Sequence, residues 1–150
     1  MDCDNLKSSY DIFLEIIRLH YHRAYMLLDK INMYPGQPAM LFALQKEDGQ
    51  SQTELAEKLN IKPATVTVML NRMEKSKIVE RRQDPNDQRI SRVYITEKGR
   101  DTCRELEEIK ATIESECLAN FTLEEQVLLR RLLMQVRDNL IDVCDRELEI

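Results

Sequence analysis

The stretch SQTELAEKLNIKPATVTVMLNRMEKSKIVERRQDPNDQRISRVYITEKG, Ser51 to Gly99, decides the fold. It opens on Ser51-Gln52-Thr53-Glu54, a capping box in which hydroxyl and carboxylate each satisfy a free backbone donor, so a short helix is expected to about Leu59. Asn60 and Ile61 make a turn, because Asn tolerates the left-handed conformation. Pro63 then stands at a first helical position, where no amide donor is needed. A second helix is expected from Pro63 to about Ser76. Leu55, Leu59, Ile61, Val66 and Met69 fall where the two helices must pack, and Ala56 is small where they cross; the pair reads as a helix-turn-helix. Ile78 to Arg82 and Arg92 to Ile95 alternate or carry β-branched residues around the polar loop Gln83 to Ser91, which predicts a hairpin with a long tip.

The chemistry of this segment follows from its faces. Val66, Met69, Leu70 and Met73 share one side of the second helix, which leaves Ala64, Thr65, Thr67, Val68, Asn71 and Arg72 largely on the other, behind an entry at Lys62 and Pro63. Small side chains let a helix approach the floor of the major groove. Hydroxyls and Asn can bond base edges, and Arg can pair with guanine or phosphate. A merely solvated helix face is the alternative. Charge separates the two: the whole chain carries −5, yet residues 62–92 hold eight Lys or Arg against four Asp or Glu, a local balance of +4. A basic lobe in an acidic protein fits double-stranded DNA approached from one side.

Working outward, a helical pattern runs from Lys7 to about Ile31, with apolar residues on more than one face, and a short apolar helix follows the break at Tyr34-Pro35-Gly36 and ends at Asp48-Gly49. Beyond the hairpin, Thr96 caps a helix with the narrow stripe Cys103, Leu106, Ile109, Ile113 and Cys117. Asn120-Phe121 interrupts it, and Thr122-Leu123-Glu124-Glu125 opens a last helix to about Arg146. The last helix carries Val127, Leu128, Leu132, Leu133, Leu140 and Ile141 among others, too wide an apolar set for one stripe. A second copy of the chain is the simplest cover, made from this helix and the first; a thick intramolecular core is the alternative. The fold class is therefore mainly α with a small β-hairpin wing. One domain, 1–150, is expected, with a winged helix-turn-helix lobe at 35–99 and a helical dimerisation region at 5–32 and 100–148.

Composition excludes several classes. Gly and Pro supply only seven of 150 positions, and 43% apolar residues are enough for a core, so a disordered chain is not expected. The longest apolar run, Ala39 to Leu44, is far short of the ~20 residues of a membrane span, and the acidic, polar start lacks the marks of a secretory signal. A cytoplasmic protein is expected. Cys3, Cys103, Cys117 and Cys144 are scattered, and His20 and His22 point apart on a helix, so neither metal nor disulfide framework is expected. Cys103 and Cys117 read as packing, and Cys3 as exposed in an acidic stretch that disfavours its thiolate. With no phosphate loop or nucleophile elbow, no enzyme and no cofactor are expected.

Asp84-Pro85-Asn86-Asp87-Gln88-Arg89 followed by Ile95-Thr96-Glu97-Lys98-Gly99 resembles the MarR-type winged helix-turn-helix transcriptional regulators, and the resemblance extends over nearly the whole chain. It implies that the hairpin is a wing whose tip, Asp87, Gln88 and Arg89, meets DNA. Arg89 would enter the minor groove while Asp87 helps hold its guanidinium. It also implies a homodimer on a pseudopalindromic operator, with two recognition helices about one DNA turn apart. Lys77 departs from the pattern, which has glycine there; a left-handed backbone costs a non-Gly residue ~1–2 kcal/mol, so a differently shaped helix end is expected. Family members often release DNA on binding a small aromatic or phenolic effector, and Tyr10, His20, Tyr21, Arg23 and Tyr34 are the residues placed to line such a cleft, although core or surface roles are the commoner fate of such residues. The leading reading is a repressor acting by promoter occupancy. The alternatives are a winged-helix protein–protein adaptor and a small-molecule or thiol-redox sensor without strong DNA binding.

Overall fold

The structure, a computed structural model, describes residues 7–148 and the side chains as far as 145; Cys3 lies outside the described residues. The chain falls into two compact units, 1–113 and 114–150. In the first, α1 (Ser9–Asp29) begins with a capping box between Ser8 and Asp11. It stops at Asn32, whose φ of +55° turns the chain while Met33 donates back to the Leu28 carbonyl at 3.0 Å. Then follow α2 (Gln37–Lys46), β1 (Gln50–Ser51), α3 (Gln52–Leu59), α4 (Pro63–Lys75), β2 (Val79–Gln83), β3 (Ser91–Ile95) and α5 (Glu97–Cys117), whose last turn belongs to the second unit.

The expected local signals operate as read. The Ser51–Glu54 capping box is formed, and Asn60, at φ +50°, ends α3 with Ile61 donating to the Ala56 carbonyl. Leu55, Val66, Leu70 and Met73 are fully buried, joined by Met40, Leu41 and Leu44 of α2 and by Val79 and Val93 of the sheet. Burial of this order contributes roughly 1.5–3 kcal/mol for each large apolar side chain, which makes α2, α3, α4 and the sheet one packed lobe.

One expectation is extended here and another corrected. The hairpin is part of a three-stranded antiparallel sheet in the order β1-β3-β2, because Gln50 and Ser51 pair with Val93 and Arg92 on the free edge of β3. The buried Gln50 amide also donates to the Ala43 and Glu47 carbonyls at the end of α2, at 3.0 and 2.6 Å, tying that helix to the sheet. The end of α4, in turn, is not reshaped by Lys77. Lys77 takes the left-handed conformation, φ +61°, and both bonds of a Schellman stop form: Lys77 to the Glu74 carbonyl at 2.9 Å and Ile78 to the Met73 carbonyl at 3.1 Å. The Thr96 hydroxyl donates to the Lys77 carbonyl at 2.7 Å and Lys98 Nζ to that of Ser76 at 2.9 Å, so neighbouring structure holds the residue there. Gly99 explains its own motif: a Cβ would lie 2.2 Å from the Ile78 carbonyl oxygen, so only glycine lets α5 start this close to the strand.

The second unit holds the end of α5, a turn through Asn120 at φ +66°, and α6 (Leu123–Leu148), started by the expected capping box of Thr122 and Glu125. Its apolar residues are uncovered: Leu123, Val127, Leu128, Leu133 and Leu140 are each about half exposed or more. A groove of about 540 Å³ runs along this unit, lined by Leu118, Leu123, Val127, Leu133 and Met134 with Arg130 and Arg137. In the first unit α1 is likewise bare, with Tyr10, Ile12, Ile16, Leu19 and Tyr21 exposed and only Leu27 and Leu28 buried. Cys103 is buried, and that burial pushes its thiol up from the usual range. Cys117 is exposed rather than packed: the burial that takes in Cys103 and Leu106 does not extend, among the described residues, to the last turn of α5.

Candidate nucleic-acid interface

The outer face of α4 is built as its sequence demands. Lys62, Pro63, Ala64, Thr65, Thr67, Val68, Asn71 and Arg72 are all exposed, while Val66, Leu70 and Met73 anchor the opposite side. Lys62 is the N-cap residue, and its carbonyl accepts from Thr65 at 2.9 Å and Val66 at 3.1 Å. Several of the outward groups are already oriented. The Thr67 hydroxyl donates to the Pro63 carbonyl at 3.1 Å and accepts from Gln52 Nε2 of α3 at 3.3 Å. Asn71 Oδ1 accepts from Arg81 Nη2 of β2 at 2.7 Å, and Arg72 lies over the Tyr34 ring, 4.8 Å from its centroid. Tyr34 thus sits with α4 rather than with the α1 residues.

Arg81 is held in turn by Glu74 of α4, through Nε at 3.1 Å, Nη2 at 2.5 Å and the backbone amide at 3.3 Å. The same guanidinium keeps the Glu74 carboxyl below its ordinary range. The half-buried Arg81 therefore bridges strand and helix at the edge of the exposed face.

The wing tip is organised by Asp84, not Asp87. Asp84 is buried; its Oδ1 accepts from the amides of Asn86 at 2.7 Å and Asp87 at 3.3 Å, and its Oδ2 accepts from Arg92 Nε. Arg92 also donates to the Gly49 carbonyl at 2.9 Å and lies 3.7 Å from Glu54 Oε2, so one side chain joins the wing to the turn before β1 and to α3. The Arg92 guanidinium holds the Asp84 carboxyl below the usual aspartate range. Asp87 does reach Arg89, but at the backbone: its Oδ1 accepts from the Arg89 amide at 3.0 Å. The expected carboxylate grip on a guanidinium exists one pair over, between Asp84 and Arg92. The exposed Arg89 borders a cavity of about 360 Å³ with Ser51, Gln52 and Thr53 at the start of α3. Gln88 and Asp87 are exposed beside it.

Gln52, Glu74, Arg81, Asp84 and Arg92 are the members that sequence reasoning missed. Arg81 was within reach: alternation puts it on the same side of β2 as the buried Val79, facing the α4 side of the sheet. Of the residues proposed for an effector cleft, Tyr10, His20 and Tyr21 are exposed on α1, Arg23 is partly buried, and Tyr34 stacks on Arg72. Among the described residues no group of three or more His, Cys, Asp or Glu is placed to hold a metal ion, and no helix is long and apolar enough to cross a membrane.

Comparison with known proteins agrees with this fold. Residues 33–91 match the sequence model described as the MarR family. The uncharacterized HTH-type transcriptional regulator YdgJ of Bacillus subtilis is 36% identical over 104 residues, 69% of this chain and 63% of YdgJ. The HTH-type transcriptional repressor MdtR of the same organism is 27% identical over 100 residues, 67% of this chain and 64% of MdtR. The chain thus spans somewhat under two thirds of the length of these relatives. Among solved structures, the S. aureus MepR–DNA complex superimposes with a TM-score of 0.73 at 20% identity, covering 89% of this chain and 99% of that one, a likeness of fold. The helix-turn-helix, the wing and the match across residues 33–91 converge, and in sequence and fold the chain is similar to the MarR family.

Proposed function

We propose that the protein is a sequence-specific, double-stranded DNA-binding transcriptional regulator that works as a homodimer in the cytoplasm. The observation that carries this reading is the exposed, small and polar face of α4 beside a basic wing, with Arg72 and Arg89 both at the surface of a segment of charge +4 inside a chain of −5. Each element has a groove suited to it: Thr65, Thr67 and Asn71 read base edges in the major groove, and Arg89 meets the concentrated negative potential of a narrow minor groove. The DNA-bound form in which MepR has been solved supports the same use of this fold.

The uncovered apolar faces of α1 and α6 support a dimer, since large exposed apolar patches are uncommon on monomers. Two copies read a pseudopalindrome with half-sites about one helical turn apart. Repression is the favoured direction, in keeping with the repressor name of MdtR. A small aromatic or phenolic effector would bind along α1 by Tyr10, His20, Tyr21 and Arg23; Tyr34, stacked on Arg72, offers a ligand a route to the recognition helix.

Gel-shift on DNA from upstream of its own gene, with sedimentation of the same sample, tests the reading. A discrete shifted species containing two chains is expected. A protein that sediments as a monomer at micromolar concentration and shifts no DNA overturns it in favour of a protein–protein adaptor.

A further inference from the structure

Resting on the DNA-binding reading, we infer that Arg81, though it need not touch a base, sets which base Asn71 reads. A guanidinium has only donors, so whatever faces it from Asn71 must be the carbonyl oxygen, and the 2.7 Å contact fixes the amide's orientation. The NH₂ group is the half left to face outward. Arg81 is not free to release its hold, because Glu74 binds it through two guanidinium bonds and one at the backbone.

The consequence lies in the major-groove code. An unrestrained Asn pairs with adenine by two bonds, accepting from N6 and donating to N7. Here Arg81 takes one of the two lone pairs of the amide oxygen, and an amino group approaching the other would meet the guanidinium's own N–H groups beside it. Asn71 becomes a donor, and the base edge richest in acceptors is guanine, with O6 and N7. One turn earlier Thr67 is fixed in the opposite sense: its proton goes to the Pro63 carbonyl and one lone pair to Gln52, so it offers DNA only an acceptor. The helix therefore presents an acceptor at Thr67 and a donor at Asn71, on one face four residues apart.

Binding-site selection from a randomised duplex library, followed by competition between single-base variants, tests this. Wild-type protein is expected to select a two-fold motif in which one position per half-site prefers guanine over adenine by about tenfold, the discrimination of one good base contact. Arg81→Lys keeps the charge but offers a compact point donor that Glu74 will hold, and it should bring that preference to within about threefold or reverse it toward adenine. Every other position, including the one read by Thr67, should keep its preference. Arg81→Met should do the same with lower overall affinity, and Glu74→Gln should shift the same position less. A merely structural role for Arg81 would weaken all positions together. An unchanged guanine preference in Arg81→Lys overturns the inference while leaving DNA reading intact; a wild-type protein that selects no motif overturns both.

Discussion

Lys77→Gly is a substitution whose sign runs against the usual expectation for a glycine. At φ +61° the residue sits where a Cβ crowds the backbone, at a cost of about 1–2 kcal/mol to an L-residue. Glycine removes that crowding but loses roughly 0.5–1 kcal/mol of additional chain entropy on folding. Lys77 is exposed, so the removed side chain takes little packing with it, and the bonds around it are backbone bonds that glycine keeps. The net expectation is a gain of about 0.5–1 kcal/mol, or a rise in Tm of about 2–3 °C for a chain of this size. Urea unfolding at fixed protein concentration should show a higher midpoint with an unchanged slope. Lys77→Ala is the control: it keeps the Cβ and should stay within about 0.5 kcal/mol of wild type. If glycine and alanine behave alike, or if glycine destabilises, left-handed strain at the end of α4 is not what the structure stores there.

Other expectations follow from the same geometry. Arg89→Ala should weaken binding to matched and scrambled DNA alike and flatten the dependence of log K on log salt by about one unit, read by anisotropy titrations. Asp84→Asn bears on the wing's acid sensitivity. The Asp84 carboxyl is held below its ordinary range, so its contribution is full above the ordinary aspartate value and lost as pH falls through the lower folded value. Wild type should therefore exceed Asp84→Asn in stability at neutral pH, with the gap closing in acid; a gap constant from pH 7 to 3 contradicts the Asp84–Arg92 pairing. Leu133→Asp, on the uncovered face of α6, should convert a dimer in ultracentrifugation to monomer or unfolded chain, because a buried unpaired charge costs several kcal/mol.

The elements legible in the sequence are those that carry their own punctuation. Ser51 and Glu54, Thr122 and Glu125, and Asn60 each act within a few residues of one another, and the α4 faces repeat at a fixed period. Strand β1 was not legible because two residues, Gln50 and Ser51, have no alternation; they are a strand only because β3 has an open edge. The Asp84–Arg92 pair was missed for a related reason. Arg92 reads as a strand residue, and its link to Gly49 crosses 43 positions, which no local pattern announces. Arg81 and Gln52 lie between these cases, since strand and helix periodicity put each on the correct side without naming its partner. Lys77 shows the reverse error: local cost argued for a different helix end, and the bonds from Thr96 and Lys98 outweighed it.

The central claim, that α4 and the wing of two chains hold one DNA duplex, is tested most directly by the affinity of the wild-type protein for a duplex from its own upstream region across a salt series. The account predicts a linear fall of log K with log salt, steep enough for several phosphate contacts at roughly −0.9 each, with two chains bound per site and a scrambled duplex bound at least ~1,000-fold more weakly. Binding that is independent of salt, or equal on the scrambled duplex, would contradict it.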